Sequence, residues 1–276
     1  MFLLFYIYPS INQYNINMKN HFFLFAISIL FFASCSHTYY APNTVTTPHL
    51  MGKNNLEVKA NAVFPVGQSS DFNAFEASAT YSPIKYLAVQ GNYFYGYASG
   101  EAGTNNGKIY DIAIGGYLPK NIIPTNLDPN KREELSLSGF VGTSFGNVYN
   151  TYDTIGKINS RLKFQKTYFT FSTSYLVQKF KLGFGLRINY LSYLNGSVTN
   201  GSIQTEEISK IVNIEEKSNF FYPEMSINLG LDFKKVYVTW GLTRAYFKDP
   251  SLYNFNNSNV YLSLGFNIHE FFKKNR

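Results

Sequence analysis

Val260-Tyr261-Leu262-Ser263-Leu264-Gly265-Phe266-Asn267-Ile268 is the stretch that decides the fold class. One face carries Val, Leu, Leu, Phe and Ile, and the other carries Tyr, Ser, Gly and Asn. A period of two, not 3.6, marks a strand with one apolar and one polar face. Residues 236–243, 225–233 and 180–189 repeat the alternation. Working back toward the N-terminus, 56–64, 72–81, 86–97, 108–118, 134–146 and 163–177 follow it less cleanly. That makes about ten strands, with eight or twelve also open. Most are about 9–15 residues long, where a soluble strand is usually about 5–6 and a tilted membrane strand about 9–11.

Composition narrows the class. The 276 residues are 45% hydrophobic and 18% aromatic but only 15% charged, against about 25% charged in an ordinary globular domain. Mean hydropathy is nevertheless only -0.15, because Asn, Ser, Thr, Gly and Tyr dilute the apolar residues. So many aromatics argue against disorder. One cysteine rules out a disulfide scaffold. Beyond the N-terminus no apolar run reaches the roughly 18 residues of a spanning helix.

The connections alternate in length. Short ones fall at 82–84, 178–179 and 234–235, and long ones at 98–106, 147–161, 195–218 and 246–257. The stretch 119–133 is an exception, long where a short turn is expected. Short turns on one side and long loops on the other are the pattern of outer-membrane barrels. A soluble barrel would show water a face rich in Lys and Glu, whereas this polar face is Gly, Ser, Thr, Asn and Tyr. Those side chains suit a narrow interior, which leaves the apolar face for lipid. Tyr93, Tyr95, Tyr97, Tyr190, Tyr193, Phe220, Phe221 and Tyr222 are expected in the interfacial girdles. The expected fold is all-β: an antiparallel up-and-down transmembrane β-barrel over 55–269 with a basic tail, 270–276. It resembles small outer-membrane barrels as a pattern, without a family-specific motif. An even strand number predicts both chain ends on the periplasmic side.

Residues 1–34 read as a signal peptide. Residues 1–17 are uncharged and broken by Pro9, and Met18-Lys19-Asn20-His21 looks like the true start. Residues 22–33 (FFLFAISILFFA) are too short to span a membrane and suit a signal h-region. Phe32-Ala33-Ser34-Cys35 resembles the lipobox of bacterial lipoproteins, and Cys35-Ser36-His37 with the Asn/Lys/Ile-rich composition is similar to lipoproteins of Bacteroidota. The resemblance implies lipidation of Cys35. Residues 35–54, polar and carrying Pro42 and Pro48, then read as a lipidated N-terminus and linker. Asp153-Thr154-Ile155 resembles the short O-glycosylation motif of Bacteroidota, which would place a sugar on Thr154.

The predicted inward face carries Glu57, Lys59, Glu76, Asp111, Lys181, Arg187, Glu224 and Asp232. Both signs occur on neighbouring strands, which points to mutually satisfied ion pairs filling a narrow lumen. Catalytic parts are scarce. His21, His37 and His49 precede the barrel, and His269 beside Glu270 ends it, so no Ser-His-Asp arrangement is expected. No Cys/His metal spacing occurs, and Gly183-Phe184-Gly185 lacks the third glycine of a dinucleotide loop. No cofactor or metal is expected. The net charge of +7 collects on the short-turn side, at Lys85, Lys179, Lys234 and Lys235 among others. That placement suits anionic lipid rather than nucleic acid.

The sequence therefore predicts a non-enzymatic lipoprotein of the bacterial outer membrane, anchored through Cys35. Its expected partners are outer-membrane lipid and other envelope proteins. A narrow porin-like channel, a tethered soluble barrel holding an apolar ligand, and a hydrolase using Glu224 and Asp232 remain as alternatives.

Overall fold

Period-two alternation builds ten strands in the computed structural model, each at an expected place. The structure describes residues 39–66, 73–100, 103–121, 132–152, 158–199, 213–214, 217–248, 253 and 255–272. The strands are β1 (Leu56–Pro65), β2 (Asn73–Ile84), β3 (Leu87–Gly100), β4 (Gly103–Asn121), β5 (Glu133–Tyr152), β6 (Ile158–Val177), β7 (Phe180–Thr199), β8 (Asn219–Asp232), β9 (Val236–Ala245) and β10 (Ser258–Asn267). A short helix α1 (Ile268–Phe272) takes up the start of the expected tail. Every neighbouring pair is antiparallel, and β1 pairs with β10 from Glu57↔Asn267 to Pro65↔Asn259, so the sheet closes on itself. Closure removes both edges and leaves no row of unpaired backbone groups.

Several strands outrun their expected lengths. β3 and β4 pair up to Gly100↔Gly103, so the connection expected over 98–106 shrinks to two residues. β5, β6 and β7 are 20 residues each, which shortens the expected 147–161 and 195–218 loops. β7 shows why the sequence understates them. Its outward residues run Phe180, Leu182, Phe184, Leu186, Ile188 and Tyr190, then turn polar at Ser192. The backbone ladder continues past the point where the unbroken apolar run stops. Those eleven residues span about 33 Å at roughly 3.3 Å per residue. Tilted at ~40°, they cover the ~25 Å of a membrane barrel's apolar band.

The outside of this band is apolar. Ile114, Leu118, Val141, Phe169, Phe180, Ile227, Phe233, Leu262 and Leu264 are each at least 44% exposed. Tyr81, Tyr86, Phe180 and Phe233 mark its edge at the short-turn end, and Tyr97, Tyr190 and Phe221 lie toward the loop end. Three residues expected in the girdles point the other way. Tyr193, Phe220 and Tyr222 are buried in the lumen, because their positions fall on the inward parity of β7 and β8.

The core is the lumen, and part of it is the segment expected to be a linker. Residues 42–50 are buried throughout. This segment runs down the barrel axis as a plug. Tyr40 forms a parallel bridge with Phe255 at the loop end. At the turn end the backbone N–H groups of Met51 and Gly52 donate to Asn55 Oδ1 (2.7 and 2.9 Å), and β1 begins there. The barrel itself starts and ends at the turn end, as an even strand number requires. The polypeptide does not: it doubles back, and Tyr39 lies at the loop end.

Candidate functional site

The plug has no Asp, Glu, Lys or Arg between Ser36 and Gly52, and it lies against a charged wall. Pro42 and Pro48 lack a backbone N–H, which prevents a regular ladder. The wall side chains bond the plug's backbone instead. Small residues make the room: a Cβ on Gly185 would sit 2.7 Å from Val45 Cγ1, and one on Gly183 would sit 2.6 Å from Thr47 Oγ1. Val45 against Gly185 and Thr47 against Gly183 keep a two-residue step, as an extended chain antiparallel to β7 must.

Three layers stack along the lumen. At the loop end an aromatic cluster grips Tyr40, whose ring meets Phe164, Tyr222, Phe247 and Phe255 at centroid separations of 5.5–6.1 Å. Such edge-to-face pairs each add about 0.5–1.5 kcal/mol beyond area burial. The Tyr193 hydroxyl donates to the Tyr39 carbonyl (3.1 Å), and the Asn256 N–H donates to the Tyr40 carbonyl (2.8 Å).

The middle layer is ionic. Arg187 Nε donates to Glu224 Oε2 at 2.7 Å, and its Nη1 lies 3.6 Å from Asp111 Oδ2. Its Nη2 donates to the Asn43 carbonyl at 2.8 Å. Asn43 Nδ2 donates to Asp111 Oδ2 at 2.5 Å. Lys166 Nζ donates to Asn43 Oδ1 at 3.0 Å, and the Tyr40 hydroxyl donates to Glu224 Oε1 at 2.8 Å. Glu76 accepts the Thr44 N–H on both oxygens at 3.2 Å, and also accepts from Asn61 and Asn92. Each charge thus has an opposite charge or directed hydrogen bonds, as burial requires.

The third layer lies toward the turn end. Glu57 accepts from the Tyr237 hydroxyl (2.8 Å) and the His49 N–H (3.0 Å). Lys181 Nζ sits 3.6 Å from Glu57 Oε2 and 3.7 Å from the Tyr237 ring centroid. Lys59 lies 6.0 Å from the same ring. Arg132 bridges Glu134 (2.9 Å) and Asp232 (3.3 Å). Below the plug a polar pocket of about 290 Å3 opens among His49, Arg132, Glu134, His269 and Glu270.

The eight charged residues read from the sequence are all buried in the lumen. They form two groups rather than one: Glu76, Asp111, Arg187 and Glu224 in the middle, and Glu57, Lys59, Lys181 and Asp232 nearer the turns. Sequence reasoning missed Lys166, Arg132 and Glu134, and it placed His49 outside the barrel. Inward parity would have found Lys166, because it shares a face with Phe164, Tyr168 and Thr170. Cys35, Met18 and Thr154 lie outside the described residues, as do Glu206, Glu207, Glu215 and Glu216 of the 200–218 connection.

Among the described residues, His49 forms an arrangement with a catalytic look. Its Nδ1 is 3.2 Å from Ser174 Oγ and its Nε2 is 2.8 Å from Glu134 Oε2. Ser174 is fully buried and does not line the adjoining pocket. A nucleophile must reach its substrate, so the contact pins the plug instead. Among the described residues no group of three or more His, Cys, Asp or Glu is placed to hold a metal ion.

No protein-family model matches the chain, and no curated protein matches it. Solved structures do. The NanC porin is 8% identical, with a TM-score of 0.34 over 76% of this chain and 97% of that one. An outer membrane channel from Pseudomonas putida F1 is 10% identical, with a TM-score of 0.33 over 81% and 99%. LpxR from Salmonella typhimurium is 7% identical, with a TM-score of 0.34 over 76% and 99%. Such distant likeness adds nothing to the strand order, which establishes the closed barrel by itself.

Proposed function

We propose that the chain is an outer-membrane β-barrel lipoprotein, anchored through Cys35, that acts as a non-enzymatic component of the bacterial envelope. The observation that carries this reading is the inverted layout of the barrel. Its apolar side chains face outward over a membrane-sized band, and its polar side chains face a lumen that is already full. A soluble barrel that bound an apolar ligand would need the opposite layout.

The filled lumen weighs against the porin-like channel. Voids beside the plug measure about 30 Å3 near Phe94 and Phe164 and about 10 Å3 near Asp111 and Thr170, room for about one or two waters. The lumen's charges are also mixed, where ion selectivity is commonly built from rings of one sign. The surface left for partners is the loop end, where the long strands stand clear of the apolar band. The hydrolase alternative is disfavoured because both Glu224 oxygens are taken by Arg187 and Tyr40, and Asp232 is buried with its Oδ1 bound to Arg132 and the Lys234 N–H.

Electrophoresis of unboiled and boiled samples in SDS tests the barrel. A closed, detergent-resistant barrel migrates differently before boiling. Identical mobility, with the protein recovered in the soluble fraction, would reject an integral outer-membrane protein.

A further inference from the structure

The plug fixes which side of the membrane the N-terminus occupies. Tyr39 and Tyr40 are held at the loop end by Tyr193, Phe247, Phe255 and Asn256, and the chain reaches the turn end only at Met51. That descent takes twelve residues, about 40 Å of extended chain at roughly 3.3 Å per residue. Cys35 precedes Tyr39 by four residues and can stray from it by at most about 14 Å. It therefore cannot return to the turn end, either inside the barrel or around its wall.

The loop end is the outward end. Three short turns (85–86, 178–179 and 233–235) and one longer connection (122–132) lie at the end below the apolar band, and the long strands continue above it with polar outward residues such as Gln165, Lys163 and Arg161 on β6. Short turns face the periplasm and long extensions face the exterior in outer-membrane barrels.

We infer that the chain is threaded through its own barrel, so that residues ahead of Tyr39 emerge on the cell surface and the acyl chains on Cys35 enter the outer leaflet. This rests on the outer-membrane lipoprotein reading above. The Tyr193–Tyr39 contact lies three residues beyond Tyr190 on β7, which marks the upper edge of the apolar band. That is about 10 Å along the strand, within reach of a lipid attached at Cys35. The ordinary expectation for a barrel with a lipidated N-terminus, an anchor in the inner leaflet, is excluded by the length of chain available.

Two tagged proteins test the inference. One carries an epitope between His37 and Thr38, and the other carries it between Lys234 and Lys235 in a short turn. On intact cells, antibody is expected to bind the first tag and to bind the second only after permeabilisation. A first tag that is silent until permeabilisation overturns the threading. Metabolic labelling with an alkyne fatty acid is read in parallel on the untagged protein and on Cys35→Ser. A surface tag without Cys35-dependent label keeps the threading and overturns the lipid anchor. Label with a concealed tag keeps the lipoprotein reading and overturns the threading.

Discussion

Arg187 holds three partners that belong to different parts of the chain: Glu224 on β8, Asp111 on β4 and the Asn43 carbonyl in the plug. Arg187→Ala removes the cation and leaves two buried carboxylates facing each other without it. Breaking a buried ion pair by deleting one member costs about 3–5 kcal/mol. The urea or thermal midpoint in detergent is expected to fall by a corresponding amount, and an unchanged midpoint would remove Arg187 from the lumen network. Arg187→Lys keeps the charge but loses the guanidinium fork, so its loss should be smaller. Gly185 tests packing in the same place. Gly185→Val puts a Cβ 2.7 Å from Val45 Cγ1, and overpacking of this kind costs about 1–3 kcal/mol. Gly91→Ala is the control, since its Cβ meets nothing closer than 3.9 Å. Equal stability of the two variants would mean that the plug yields at no cost.

At the scale of elements, deleting residues 39–51 while retaining Cys35 and the barrel from Leu56 onward is the direct test of the plug. Planar bilayers are expected to show single-channel steps with the deletion and none with the full chain. Steps of equal size from both proteins would mean that the plug does not seal the lumen. The strands and the plug differ in how well they can be read from sequence. All ten strands are legible because an apolar outer face against a polar lumen forces strict alternation over about ten residues. Their extensions are not, because above the band the sense of the alternation inverts: Lys163, Gln165 and Thr167 point outward and Leu162 and Phe164 point into the lumen. The inward charges are legible for the same reason as the strands: parity alone puts Glu57 and Lys59, or Lys181 and Arg187, on the polar face. The plug is illegible because walls on every side remove the need for alternation. Tyr39 to Leu50 is therefore varied, uncharged and proline-bearing, which is also how a linker reads. Its one distinguishing mark is the absence of charge in a segment that is otherwise polar.

For the whole molecule, the outer-membrane lipoprotein reading proposed above makes the barrel and the lipid separate attachments to the membrane. On that reading the apolar band alone is expected to hold the barrel in place. Cys35→Ser is expected to remain in the outer-membrane fraction and to resist carbonate or urea extraction. Release of that variant into the soluble fraction would instead describe a tethered domain. The loop-end aromatic cluster and the turn-end His49–Glu134–Arg132–Asp232 chain also fasten the plug at both ends. The lumen should therefore unfold together with the barrel in one transition rather than open beforehand.

The closed pairing of β1 with β10 around residues 39–55 has a topological result. The ring is made by the same polypeptide whose tail passes through it, so the fold is a lasso. A tail packed side chain by side chain against the lumen wall cannot be drawn through a finished ring. The loop must be laid around the tail first, with the β1–β10 seam as the last stitch. A pull on the N-terminus from the loop end would then not slide the tail free. The tail is continuous with β1 at the turn end, so the force would be led down the axis and load that seam directly, like a drawstring.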